Sequence, residues 1–260
     1  MENSLLLLYE EKSRFNNVEA ILFLVDYYLK NDEKDKAFEL LKKFENIPDK
    51  EGKRKLAYFY QYGIGVETDL DKAISMYEQA YELGDLIAGY NLALICTNKK
   101  RYDLAVSYLA FGRINNHVSS IKVLGDLYRL GLGVEKNVDI AVNLYKEALE
   151  LGDESLYDQI GIIYYQKKQY LEAFDYFTKG ANKLDKNALY HLGICYSKGE
   201  GTYLDIQKAI KYFELAIKQG DERSLYNLAL IYREGIGVNK DIEKSENYMK
   251  RYENIKNVQK

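Results

Sequence analysis

Proline is all but missing from this chain: Pro48 is the only one in 260 residues. Proline breaks helix interiors and is common in loops, so the shortage fits continuous helices joined by tight turns. Cysteine is scarce as well. Two residues, Cys96 and Cys195, exclude a disulfide framework for a chain of this size. The two histidines, His117 and His191, have no second histidine or cysteine repeating near them at metal-ligand spacing. No metal site, catalytic group or cofactor is expected. Long apolar runs are missing too. Leu5 to Leu8 is too short for a secretory leader, and nothing approaches the ~18 apolar residues of a membrane span. The opening residues carry no positive charge, and a cytoplasmic protein without a membrane span is expected. A net charge of -3 speaks against the basic face that a nucleic-acid partner requires.

What is present is an apolar content of 47%, ample for a folded core, together with 26 tyrosines. Both are distributed by an internal repeat, the feature to seek first. Gly63-Ile64-Gly65-Val66 recurs as Gly131-Leu132-Gly133-Val134 and Gly235-Ile236-Gly237-Val238, with a variant at Gly199-Glu200-Gly201-Thr202. One apolar anchor runs Leu24, Leu56, Leu92, Leu124, Ile160, Leu192, Leu228, at intervals alternating between 32 and 36 residues. The next residue is always small or β-branched. Four residues after the anchor stands Tyr28, Tyr60, Cys96, Tyr128, Tyr164, Tyr196 or Tyr232. Anchor, i+1 and i+4 share one face of a first helix, A, where a tyrosine buries its ring and keeps its hydroxyl wet.

A second helix, B, is marked by Ala37, Ala73, Ala105, Ala141, Ala173, Ala209 and Ser245, each followed four residues later by a large apolar residue. Small-then-large spacing suits closely packed antiparallel helices. In the longer repeats helix A ends at a glycine, and helix B starts after Asp69, Asn137, Asp205 or Asp241, all good N-caps. The shorter repeats lack both signals. Helix B ends at Gly84, Gly152 or Gly220, with Asn116 a substitute. The next helix A is capped by an aspartate (Asp49, Asp85, Asp153, Asp185, Asp221), a place that His117 takes once.

These patterns predict an all-α chain of about seven helix-turn-helix repeats forming a single domain over 1–260. Residues 3–16 are expected as an N-terminal cap helix, 17–245 as the repeats and 246–260 as a polar C-terminal cap. The apolar-small-x2-Tyr, Gly-x-Gly-Val and Asp-x2-Lys-Ala sequence resembles the Sel1-like repeat, a relative of the tetratricopeptide repeat. The match is closest in 52–85, 118–153, 186–221 and 222–250, while the short repeats look more like tetratricopeptide repeats. The resemblance implies a right-handed superhelical solenoid, an α/α superhelix, with helix A lining a concave surface. It also implies a scaffold or adaptor role in signalling complexes or in bacterial envelope and stress pathways.

Features that mimic catalytic motifs have blander readings. The Gly-x-Gly loops follow helices rather than strands and lack a third glycine, so they read as turns rather than phosphate cradles. His191 and Cys195 stand at i, i+4, but Cys195 falls on the apolar face, where thiols are inert. A non-enzyme is expected.

The face of helix A opposite the packing stripe, at i−2, i+2 and i+5, varies while the packing face does not. Its candidate partner-binding residues are Arg54, Tyr58, Tyr90, Leu94, Lys122, Arg129, Tyr165, Tyr190, Ile194, Tyr226, Leu230 and Arg233. Tyr90 with Leu94, Tyr190 with Ile194 and Tyr226 with Leu230 form aromatic–aliphatic pairs that can grip a peptide or helix. The arginines can pair with acidic groups or a C-terminal carboxylate. The aliphatics at i+2 either join that strip or fill space between neighbouring A helices. The leading expectation is a non-catalytic protein-interaction module. Two alternatives stand beside it. One is a small-ligand-binding or hydrolytic protein of the β-lactam-associated, cysteine-rich Sel1-like kind, whose paired cysteines this chain lacks. The other is a self-associating structural subunit.

Overall fold

The computed structural model describes residues 2–258, all helices and turns. Among the described residues there is no strand, and no helix is long and apolar enough to cross a membrane. Residues 259 and 260, the end of the expected C-terminal cap, lie outside the described residues. The helices fall into two compact units divided after Asn137.

The first unit holds α1 (Glu2–Arg14), α2 (Val18–Lys30), α3 (Lys34–Leu41), α4 (Lys50–Tyr62), α5 (Leu70–Glu82), α6 (Leu86–Asn98), α7 (Tyr102–Ile114) and α8 (Val118–Leu130). Here α1 packs on α2, and α2/α3, α4/α5 and α6/α7 pair as neighbours. The second unit holds α9 (Val138–Glu150), α10 (Tyr157–Gln166), α11 (Tyr170–Asn182), α12 (Lys186–Lys198), α13 (Ile206–Lys218), α14 (Arg223–Glu234) and α15 (Ile242–Val258). Its pairs are α10/α11, α12/α13 and α14/α15.

The repeat positions explain the pairing. None of the seven anchor residues is more than 3% exposed. The small residue after the anchor receives the large side chain of the partner helix: Phe177 lies on Gly161, and Phe213 on Gly193. A Cβ at either glycine would stand 2.5 Å from the ring. The B-helix alanines are fully buried, and Ser245, in the same place, donates its hydroxyl to Ala229 O at 2.8 Å. That bond removes the desolvation cost that would otherwise exclude serine there.

The Asp-x2-Lys-Ala motif acquires a mechanism. Asp69, Asp205 and Asp241 accept from the backbone N–H of Lys72, Lys208 and Lys244, each at 2.9 Å. Each lysine then lays its ammonium over the i+4 tyrosine of the preceding helix, at 5.2 Å for Tyr60, 5.2 Å for Tyr196 and 4.0 Å for Tyr232. A cation over a ring contributes roughly 0.5–1 kcal/mol. Two of these tyrosines pair their hydroxyls: Tyr60 donates to Glu45 at 3.1 Å and Tyr232 accepts from Lys244 at 2.6 Å.

Four of the five capping aspartates expected at first helices cap an α-helix directly, with acceptor distances of 2.7–2.9 Å. Asp153 differs. It caps the short 3-10 turn Glu154–Leu156 that precedes α10. The short A–B turns also depart from expectation. They have their own stop signal in a left-handed residue that is not glycine: Asp32, Lys100 and Lys168, with φ of 58°, 58° and 61°. Leu184 does the same between α11 and α12, with φ of 59°.

Gly201 sits in a left-handed conformation, φ +75°, where a methyl group would overlap the carbonyl oxygen of Tyr170 at the start of α11. Gly65 and Gly133 make the equivalent approach to the backbone of Lys34 and Tyr102, and Gly237 lies against the side chain of Ile206. The second glycine of each loop is therefore where the turn rests on the preceding B helix. Gly220 is left-handed as well, φ +85°, but faces open space. Gly220→Ala is expected to cost about 1–2 kcal/mol from backbone strain alone. Gly201→Ala, which adds a backbone collision, is expected to cost roughly 3 kcal/mol or more. Leu184→Gly is expected to gain roughly 0.5–1 kcal/mol, since it relieves an exposed left-handed leucine. Urea-unfolding midpoints of the three variants check this order.

Candidate functional site

In the first unit the variable face of the A helices forms a groove of about 260 Å³. Arg54 and Tyr58, both expected, line it together with Asp26, Leu29, Lys55 and Asn91. Its apolar floor is Leu29, Phe59 and Ile64. Nearby, Tyr77 of α5 is fully buried, and its hydroxyl donates to Gln61 Oε1 at 2.8 Å. Burial pushes that phenol well above its ordinary pKa, so it stays a neutral donor. The cations are held in place. Arg54 donates to Asp85 Oδ2 at 3.0 Å while Asp85 Oδ1 caps α6 through Ala88 N–H at 2.8 Å. Lys55 donates to Asp26 at 2.6 Å. Tyr58 is exposed, tilted against Tyr62 with ring centroids 4.5 Å apart.

The other expected residues of this unit do not line that groove. Tyr90 is half-buried, edge-on to His117 at 5.6 Å. Leu94 and Lys122 are half-buried, and Arg129 pairs with Asp126 at 3.3 Å. Lys55 and Asn91 were absent from the expected set. Both occupy i−1 of their anchors, about 60° round the helix from i+2, so the face is wider than the three positions first assigned to it.

In the second unit Tyr190 is half-buried between the packed clusters of α10–α13 and α12–α15, with the guanidinium of Arg223 over its ring at 4.1 Å. Arg223 itself pairs with the capping Asp221 at 2.7 Å and with Asn187 at 2.7 Å. Ile194 packs into the α13–α15 cluster, and Tyr165 packs beside Phe177 with its hydroxyl donating to Glu200. Tyr226 is exposed against Tyr252 at 5.6 Å, Leu230 is half-buried, and Arg233 pairs with Glu234 at 2.8 Å.

The reactive groups are engaged elsewhere. His191 bonds Asp158 at 2.7 Å and stacks on Phe177, so it is turned to a carboxylate rather than to Cys195. Burial leaves Cys195 fully covered and pushes its thiol up to about 12. His117 occupies an N-cap position without capping; its Nδ1 meets Ser120 Oγ at 2.7 Å, and burial lowers its pKa. Lys53 is buried in α4, and its ammonium donates to Phe44 O, Glu45 O and Gln79 Oε1 at 2.8, 3.2 and 2.7 Å. Two of its donors fix the chain before α4, and the third reaches Gln79 on α5. Among the described residues no group of three or more His, Cys, Asp or Glu is placed to hold a metal ion. In the folded chain Cys195 is expected to resist a thiol reagent at pH 8 and to react only at the rate of unfolding, which stopped-flow labelling with and without urea would measure.

The Sel1 repeat pattern matches residues 51–85, 121–153, 159–183, 186–221 and 223–251, more than half of the chain. It reaches 159–183, in a pair whose short turn had suggested a tetratricopeptide repeat instead. Among solved structures, a protective antigen of uropathogenic Escherichia coli displaying an SLR fold aligns over 94% of this chain and 55% of its own. It shows a TM-score of 0.79 and 25% identity. A Sel1 repeat protein from Oxalobacter formigenes aligns over 89% of this chain and 96% of its own, with a TM-score of 0.73 and 27% identity. Among curated relatives, the ERAD-associated E3 ubiquitin-protein ligase component HRD3B of Arabidopsis thaliana is 25% identical over 58% of this chain and 33% of its own. A putative sel1-like repeat-containing protein of Acanthamoeba polyphaga mimivirus is 28% identical over 44% of this chain and 21% of its own. The chain thus spans a third or less of the curated relatives it matches. With the repeat recurring over most of its helix pairs and the fold shared with both solved relatives, this chain belongs to the Sel1 repeat family, an all-α solenoid class.

Proposed function

We propose that the chain is a non-catalytic interaction scaffold or adaptor whose A-helix face binds a segment of a partner protein. The observation that carries this reading is the first-unit groove, where an exposed tyrosine and two fixed cations stand over an apolar floor. Such a site offers area from Tyr58 and directional donors from Arg54 and Lys55 at little ordering cost, because their side chains are already held. Its volume of about 260 Å³ takes a few side chains rather than a whole small-molecule substrate. The Arabidopsis relative is named as a component of a ligase, and a part played within an assembly accords with this reading.

Tyr58 and Tyr226 are the tyrosines of the candidate set that are exposed, so removing them separates binding from folding. The test compares capture of proteins from the native cell extract by wild type and by Tyr58→Ala/Tyr226→Ala, with helicity and thermal midpoint recorded for both. A specific partner is expected to bind the variant at least ~30-fold more weakly, the effect of losing about 2 kcal/mol at an interface centre. Equal retention of that partner by the variant would place binding on another face.

A further inference from the structure

Three exposed positions in the second unit break a pattern that the sibling repeats keep. Two residues before the B-helix small residue, the other repeats carry Asp35, Asp71, Asp103, Asp139, Gln207 and Glu243; the α10/α11 repeat carries Leu171. Two and three residues after the second loop glycine, the siblings carry Glu67-Thr68, Glu135-Lys136 and Asn239-Lys240; the next repeat, α12/α13, carries Tyr203-Leu204. The polar siblings are all exposed, and so are the apolar replacements: Leu171 is 74%, Tyr203 92% and Leu204 64% exposed. The repeats thus supply their own reference, and no packing need within the chain accounts for the change.

The replacements come together because the loop around Gly201 rests on the first turn of α11. Leu171 and Tyr203 line one groove of about 680 Å³ with Tyr170. Its charged lining residues are of opposite sign, Lys168 and Glu172. We propose that this loop face is a contact between two copies of this chain, paired about a two-fold axis.

Two observations single out a second copy. A two-fold contact requires a surface that complements itself: residue i of one copy meets j of the other, and j meets i. Here the projecting Tyr203 stands beside the groove that would receive its counterpart, and Lys168 of one copy can face Glu172 of the other. A partner segment of one charge sign would leave either Lys168 or Glu172 facing its own sign. The apolar area is small. Three side chains offer a few hundred Å² per copy, below the ~800 Å² of a standard interface, so pairing is weak and depends on concentration.

Sedimentation of the whole chain between ~10 and ~500 μM tests this. The wild type is expected to shift from monomer towards dimer across the range, and Leu171→Glu/Tyr203→Ser to stay monomeric with unchanged helicity. Lys168→Glu and Glu172→Lys are each expected to weaken pairing about tenfold, and the two together to restore it. A wild type that stays monomeric, or a dimer that survives Leu171→Glu/Tyr203→Ser, overturns the proposal. A double swap no better than the single swaps overturns the two-fold arrangement. Because Arg54, Lys55 and Tyr58 are left intact throughout, failure here leaves the partner-binding groove of the first unit standing.

Discussion

In each turn from a first to a second helix, the backbone N–H of the residue that opens the second helix donates to the carbonyl four residues past the buried anchor. The bonds run from Glu33 to Tyr28, Asp69 to Tyr60, Arg101 to Cys96, Asn137 to Tyr128, Gln169 to Tyr164, Asp205 to Tyr196 and Asp241 to Tyr232, all at 2.8–2.9 Å. The chain between donor and acceptor is four residues in the short turns and eight in the long ones, yet the bond is the same. It gives a carbonyl of the last turn of the first helix, one of the groups a helix end leaves unpaired, a backbone donor. It also fixes where the second helix begins relative to the anchor. Since the small residue of that helix always lies four positions after the donor, the bond sets the side-chain register of the whole pair.

Much else follows from that register. The large residue of the second helix falls on the small residue beside the anchor, which is why Gly161 and Gly193 accept no side chain beneath Phe177 and Phe213. In three of the long turns the lysine beside the small residue falls over the tyrosine whose carbonyl is used. The extra residues of a long turn are free to reach backwards, and their second glycine meets the opening turn of the preceding second helix. Short turns have no such reach and close instead through a single left-handed residue. The two spacings in the sequence are thus two ways of spanning one invariant hydrogen bond.

The same economy shapes the variable face. A capping aspartate has two oxygens and the cap uses one. In the first unit the other oxygen of Asp85 holds Arg54, and in the second unit that of Asp221 holds Arg223. Arg54 is therefore anchored by the cap of a following helix and Arg223 by the cap of its own, and both guanidinium groups keep a fixed direction. Where the anchored group lies across a ring, as Arg223 does over Tyr190, the tyrosine is drawn into the packing. Where it does not, as at Tyr58, the ring remains available.

The sequence by itself determined the helices, their pairing, the buried stripe and the family. Each of these is written in periodic spacing along a single helix or one turn: anchor, i+1, i+4, cap, small residue. Backbone hydrogen bonding and burial read such spacing directly. It also determined most caps, because an N-cap acts on the N–H two or three residues on. The left-handed Asp32, Lys100, Lys168 and Leu184 were not legible, since their conformation is imposed by the packing of the helices on either side rather than by their own preference. Nor was the division of the variable face into ring-packed and open positions. Arg54 meets Asp85, and Tyr190 meets Arg223, through contacts between different helices, and helical periodicity says nothing about what stands opposite. The meeting of Leu171 with Tyr203 is of the same kind. It depends on where a loop glycine touches a neighbouring helix, a distance that only the tertiary structure sets.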